Sequence, residues 1–266
     1  MDLTDAYENA AYIPGADAYP EMWAAKAAAF REDLRDRARC DLTYGPLERN
    51  RYDMFLPEGA PAGLVMFIHG GYWRRFDKSL WSHLAAGPLA WGFAVAMPSY
   101  TLAPQAQISS ITSEIATVLA AVAAEVPGPV VVTGHSAGGH LSARMRCRDV
   151  GLPGNVARRI RRVVPISPVS DLRPLLQTAI NDDLRLDAAE AEAESPVSKT
   201  DLWPAETVVW VGADERPAFL DQARWLAEAW PESDLRIAPG RHHFDVIEEL
   251  GEADSPLTQA LLDGVA

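Results

Sequence analysis

Cysteine is scarce in these 266 residues: only Cys40 and Cys147 occur, with no CxxC and no Cys/His cluster. That excludes a disulfide framework and a thiolate zinc site, and predicts two ordinary buried thiols. Basic residues are also in deficit, 24 Lys and Arg against 37 Asp and Glu, for a net charge of −13. Such a chain repels polyanions and has no basic stripe to follow a phosphate backbone, so nucleic acid is not an expected partner. Long apolar runs are missing as well. The opening "MDLTDAYENAAYIPG" carries acids where a targeting segment has a basic and then an apolar region, and no later stretch reads as a membrane span. The expectation is a cytoplasmic chain with no membrane partner. Repeats and low-complexity linkers are absent too, which together with the length predicts one domain over residues 1–266.

What is present is a rhythm. Short β-branched runs at 51–57, 63–70, 93–100, 129–135, 162–168, 206–213 and 234–239 alternate with helical patterns. This alternation predicts an α/β fold, a mostly parallel central sheet of about eight strands with helices on both faces. Ile108, Ile111, Ile115, Val118, Leu119 and Val122 recur at spacings of three and four and define a helix that packs on the sheet. Further helices are expected from about Ser136, over 217–230 with Pro217 in its first turn, and over 255–265. Two regions break the rhythm: an Ala-rich helical segment over residues 1–40 and an acidic segment from Asp171 to Asp201. Both are candidates for covering a site, the second as a cap.

Three motifs carry chemistry. "GHSAG", Gly134 to Gly138, follows the β run "PVVVT" and leads into a helix, the context of a G-x-S-x-G nucleophile elbow that exposes Ser136 above a sheet edge. "HGGYW", His69 to Trp73, follows the strand "GLVMFI" and resembles the loop that builds an oxyanion hole in esterases. By position its donors are the N–H groups of Gly71 and Tyr72, joined by that of Ala137; His69 reads as structural. "VGADE" ends a predicted strand in Asp214 and Glu215, and "GRHHFD" follows the last strand. Serine, acid, histidine is the chain order of an α/β-hydrolase triad. Asp214 is the favoured acid and Glu215 the alternative, while either carboxylate could instead cap the helix at Pro217.

Six histidines compete for the role of base. His135 precedes Ser136 on extended chain and is expected to point away from its reaction side. His140, one turn into a packed helix, lacks room to reach both the serine and a carboxylate. His83 reads as a packed histidine in a helix. His242 and His243 remain, one expected to face in and the other out, with Phe244 as an apolar anchor for their loop.

These residues resemble a known family, the α/β-hydrolase type of kynurenine formamidase, or arylformamidase. The resemblance rests on "HGGYW", "GHSAGGHL", the acid at Asp214, "HHFDVIEEL" followed by "SPLTQALL", and the N-terminal "AYENAAYIPG". It implies Ser136 as nucleophile, Asp214 as acid and His243 as base. It further implies a metal-independent serine hydrolase without cofactor, acting on a small-molecule acyl substrate, with N-formylkynurenine or a related aryl formamide favoured. Tyr72 and Trp73 would bring aromatic surface to the substrate, with plain core as the other reading of Trp73, and the "RRFDK" stretch from Arg74 to Lys78 reads as a solvated loop face that could instead meet a substrate carboxylate. Carboxylesterase or thioesterase action on small esters uses the same residues and is the alternative. A non-catalytic ligand-binding α/β-hydrolase is a third reading, though such proteins usually lack a triad member. A homodimer is compatible with all three.

Overall fold

The computed structural model describes residues 2–230 and 232–265. Its strands are β1 (Ala38–Thr43), β2 (Arg51–Phe55), β3 (Leu64–Ile68), β4 (Ala94–Pro98), β5 (Val130–His135), β6 (Ile160–Ile166), β7 (Glu206–Gly212) and β8 (Asp234–Ala238). They form one eight-stranded sheet in the order β1-β2-β4-β3-β5-β6-β7-β8. The pairs β1·β2 and β2·β4 are antiparallel and the others parallel. The seven strands read from β-branched runs are all there. The eighth, β1, was expected to be helical; its sequence "ARCDLT" is largely exposed on the sheet edge, so it carries no apolar alternation to announce it. Cys40 lies on that edge and is exposed, correcting the expectation of two buried thiols; Cys147 is buried.

The helices are α1 (Tyr19–Leu34), α2 (Ala86–Ala90), α3 (Ile108–Glu125), α4 (Ala137–Arg144), α5 (Gly154–Ala157), α6 (Asn181–Leu184), α7 (Ala188–Glu194), α8 (Pro217–Ala229) and α9 (Pro256–Leu262). Strand alternation splits the core in two. Met54, Met66, Ile68 and Val132 face α3 and α4. Phe55, Phe67, Val95 and Val131 face Trp23 of α1 and Leu257 and Leu261 of α9. The six apolar residues that define α3 are all fully buried, each contributing roughly 1.5–3 kcal/mol of transfer free energy. By length and composition alone α3, 18 residues at mean hydropathy 1.3, could cross a membrane, contrary to the expectation that no stretch reads as a span. Its apolar face is spent on the sheet. His83 sits not in an α-helix but in a 3-10 turn, Ser82–Ala85.

The site lies where the parallel strands β3, β5, β6 and β7 deliver their C-terminal ends, the crevice that open α/β sheets offer to ligands. Two covers meet there. Residues 5–18, mostly 3-10 turns, supply Glu8, Asn9 and Ala10 to the cavity wall, and Ile180 from the 171–201 segment supplies another piece.

Candidate active site

Ser136 occupies the turn between β5 and α4 at φ 57°, ψ −114°. This is a left-handed conformation that costs a non-glycine residue of order 1–3 kcal/mol and persists only where the surroundings enforce it. They do so through backbone. The Ser136 N–H donates to the Ile166 carbonyl at 2.8 Å and its carbonyl accepts from His140 N–H at 3.0 Å. Just inside the helix, a Cβ on Gly138 would stand 1.9 Å from the Ile68 carbonyl oxygen, so strand and helix could not approach as they do with any other residue.

The Gly71 to Trp73 loop also runs at positive φ, 108°, 52° and 56°. Among the described residues no hydrogen-bond acceptor is found for the N–H groups of Gly71, Tyr72 or Ala137. Ala137 begins α4, where the first N–H groups have no intrahelical partner. Tyr72 and Ser136 line one cavity of about 350 Å³, together with His135 and His243. Trp73 does not join them. It is completely buried, packed edge-on against the His140 ring at 5.2 Å, so it belongs to the core and not to the substrate wall. The aromatic lining comes instead from Trp23, Phe76, Trp81 and Phe244, with Tyr72.

His243 pairs with Glu215, the alternative carboxylate, and not with the expected Asp214. His243, buried, donates from Nδ1 to Glu215 Oε2 at 2.6 Å, while Asp214 is exposed. The turn after β7 decides this. Asp214 N–H is tied to the Arg241 carbonyl at 2.9 Å, turning its side chain outward. Glu215 folds back over the strand end, where Oε1 accepts from Gly212 N–H at 2.9 Å and from the hydroxyl of Ser167. Ser167, at the end of β6, carried no sequence signal; the hydroxyl is brought there only by the sheet. Because a carboxylate can only accept, Nδ1 of His243 holds the proton and Nε2 is left basic.

His242 faces the other way, its Nε2 paired with the Tyr19 hydroxyl at 3.2 Å and its N–H donating to Asp245 at 2.7 Å. Phe244 anchors the loop between Tyr19 and Trp23. His140 is buried with Nε2 donating to the Glu194 carbonyl at 2.8 Å, and burial pushes its pKa down to about 3. His69 stacks on Tyr100, ring centroids 4.4 Å apart, and burial lowers it to about 4. His135 departs from its expected placement. Instead of turning away it lines the cavity, with its ring 4.6 Å from that of His243, and burial and the neighbouring imidazole hold its pKa well below the usual value. Among the described residues no group of three or more His, Cys, Asp or Glu could hold a metal ion.

A family model for the alpha/beta hydrolase fold matches residues 65–230. The chain belongs to the α/β-hydrolase family. This hydrolase is 27% identical to a kynurenine formamidase of Danio rerio over 235 residues, 84% of this chain and 80% of the fish protein. It is 28% identical to that of Drosophila melanogaster over 239 residues, 83% and 79% of the two chains. Among solved structures it is similar to a protein of Silicibacter sp. tm1040 described as a "putative thioesterase", with 56% identity, 98% and 99% of the chains covered and a TM-score of 0.96.

Proposed function

We propose that this hydrolase cleaves small N-acyl compounds, aryl formamides of the N-formylkynurenine type, through an acyl-enzyme on Ser136. The observation that carries the mechanism is the meeting of the strained Ser136 on one cavity with His243, which is itself paired with Glu215. Ser136 Oγ attacks the formyl carbon and passes its proton to His243 Nε2. Glu215 fixes the tautomer and stabilises the imidazolium. The N–H groups of Gly71, Tyr72 and Ala137 receive the oxyanion, each such donor being worth roughly 3 kcal/mol in the transition state. His243 then protonates the departing nitrogen as the C–N bond breaks, and water, deprotonated by the same histidine, releases formate.

The likeness to the two kynurenine formamidases and the five aromatic side chains on the wall support an aryl substrate. Of the two arginines at the mouth, Arg74 is ion-paired with Asp183. Arg75 stacks over Phe76 at 5.2 Å with no carboxylate partner among the described residues, and is the one suited to a substrate carboxylate. The 56% identity to the Silicibacter protein favours thioester or ester hydrolysis as the second reading. Steady-state rates on N-formyl-L-kynurenine, short p-nitrophenyl esters and acyl-coenzyme A decide: kcat/KM highest on the formamide supports the proposal, and turnover of esters or thioesters alone refutes it. A fluorophosphonate that labels the wild type and not Ser136→Ala tests the nucleophile.

A further inference from the structure

Asn9 lies in the N-terminal cover, 3% exposed, and lines the catalytic cavity. It also lines a smaller cavity of about 240 Å³ behind the catalytic pair, shared with Glu215 and His243. It therefore stands in the partition beside the base. The amide has a fixed orientation. The Tyr72 hydroxyl donates to the Tyr7 carbonyl, which can only accept. The hydroxyl oxygen must then receive its second hydrogen bond, and the group 2.8 Å away has to be Asn9 Nδ2. That leaves Asn9 Oδ1, buried and without a donor among the described residues. An acceptor in that state destabilises the fold, a cost that a bound donor removes.

The nitrogen leaving a formamide must sit next to His243, since His243 supplies its proton. When the carbonyl is attacked, the amide nitrogen becomes pyramidal and turns its lone pair towards His243 Nε2. Its own N–H is then directed elsewhere, and loses its bond to water inside a closed cavity. An ester or thioester oxygen or sulfur has no such hydrogen.

Resting on the serine-hydrolase reading above, the geometry points to Asn9 as a specificity-determining residue whose Oδ1 accepts the N–H of the scissile amide. It makes the site selective for N–H-bearing acyl compounds over esters of the same shape. A site built to bind a substrate N–H discriminates against the analogue lacking it far better than an apolar wall can.

The test uses p-nitroformanilide, its N-methyl derivative and p-nitrophenyl formate. In wild type, N-methylation is expected to lower kcat/KM more than tenfold. In Asn9→Leu the formanilide to ester ratio of kcat/KM should fall at least about tenfold, and N-methylation should cost little. Tyr72→Phe removes the hydroxyl that orients the Asn9 amide, so it should lower the ratio in the same direction by a smaller factor than Asn9→Leu. Ester turnover reports folding in each variant, and Asn9→Ala repeats the measurement with a smaller side chain. An unchanged ratio in Asn9→Leu and Asn9→Ala, or equal losses on both substrates, overturns the role of Asn9. Hydrolysis that survives in Ser136→Ala overturns the serine mechanism instead, and the two failures are read from different variants.

Discussion

A methyl group added to Gly138 would lie 1.9 Å from the Ile68 carbonyl oxygen, whereas one added to Gly15 would meet nothing within 4 Å. The first glycine belongs to the elbow that poses Ser136 and the second to the N-terminal cover on the opposite side of the same cavity. Backbone fixes the elbow: β3, β5 and β6 pin it on three sides, and the strained serine has no alternative within that packing. Side chains fix the cover. Tyr72 holds Tyr7 and Asn9, Gln222 donates to the Tyr7 hydroxyl at 2.8 Å, and Arg216 holds Asp5. On the proposed mechanism the reacting atoms are placed by the sheet, and the choice of substrate is left to contacts that a few substitutions can change.

The comparison is broken most severely at Gly138. Gly138→Ala must push α4 off β3, and overpacking against backbone is expected to cost more than about 3 kcal/mol, with Ser136 displaced and turnover lost. Gly15→Ala, strained only by its φ of 71°, should cost about 1 kcal/mol and keep activity. Thermal melts and turnover on one substrate measure both; equal effects at the two positions would mean that the elbow is not held by close backbone approach. Next comes the acid. Glu215→Gln should lower kcat by about 10³ to 10⁴ through loss of the His243 tautomer, with Asp214→Asn within threefold of wild type. The reverse result would return the role to Asp214.

That second pair also marks where sequence ran out. Ser136 and its glycines were readable because the elbow motif is local, with strand, turn and helix contiguous, although the steric demand on Gly138 comes from Ile68 of β3, far back in the chain. Strands β3, β4 and β5 were readable for the same reason, each being a continuous buried run. Asp214 and Glu215 are adjacent acids, and only the Arg241 carbonyl and the Ser167 hydroxyl, 27 and 48 residues away, decide which one turns in. Trp73 looked like substrate wall from its place beside Tyr72, and His140 under it makes it core. His135 was assigned by strand alternation, which fails at the strand's last residue where the elbow begins. Asn9 was invisible, since its neighbours Tyr72 and His243 are far along the chain.

A milder way to separate the two sides is acid. His69 and His140 lie on the elbow side with pKa values lowered by burial to about 4 and about 3, and His135 is lowered too. Unfolded, each titrates near 6.5, so between that value and 4 the unfolded chain binds protons that the fold does not. Stability is therefore intact above about pH 6.5 and falls as the pH drops towards 4. Most carboxylates titrate lower, so a fall already visible between pH 7 and 5 belongs to imidazoles. The expected reading is a melting temperature lower by several degrees at pH 5 than at pH 7; a flat profile would show that these histidines find proton acceptors on folding.

The smallest effect is expected where the cover is tied down at its rim. Arg216 donates to the Asp5 carboxylate at 2.7 Å and lies 3.6 Å over the Tyr12 ring. Asp5 and Tyr12 are exposed, so these contacts are weak, and the ion pair is screened by salt. Arg216→Ala should loosen residues 5–12 without touching a reacting atom, raising KM about three- to fivefold with kcat within twofold and little change in melting temperature. Adding 0.5 M NaCl to the wild type should move KM in the same direction by a smaller factor, because it weakens the Asp5 pair and leaves the stacking on Tyr12. If instead kcat falls and KM holds, Arg216 acts through its neighbour Glu215 on the catalytic pair, and the cover would be part of the machinery that poses the reacting atoms.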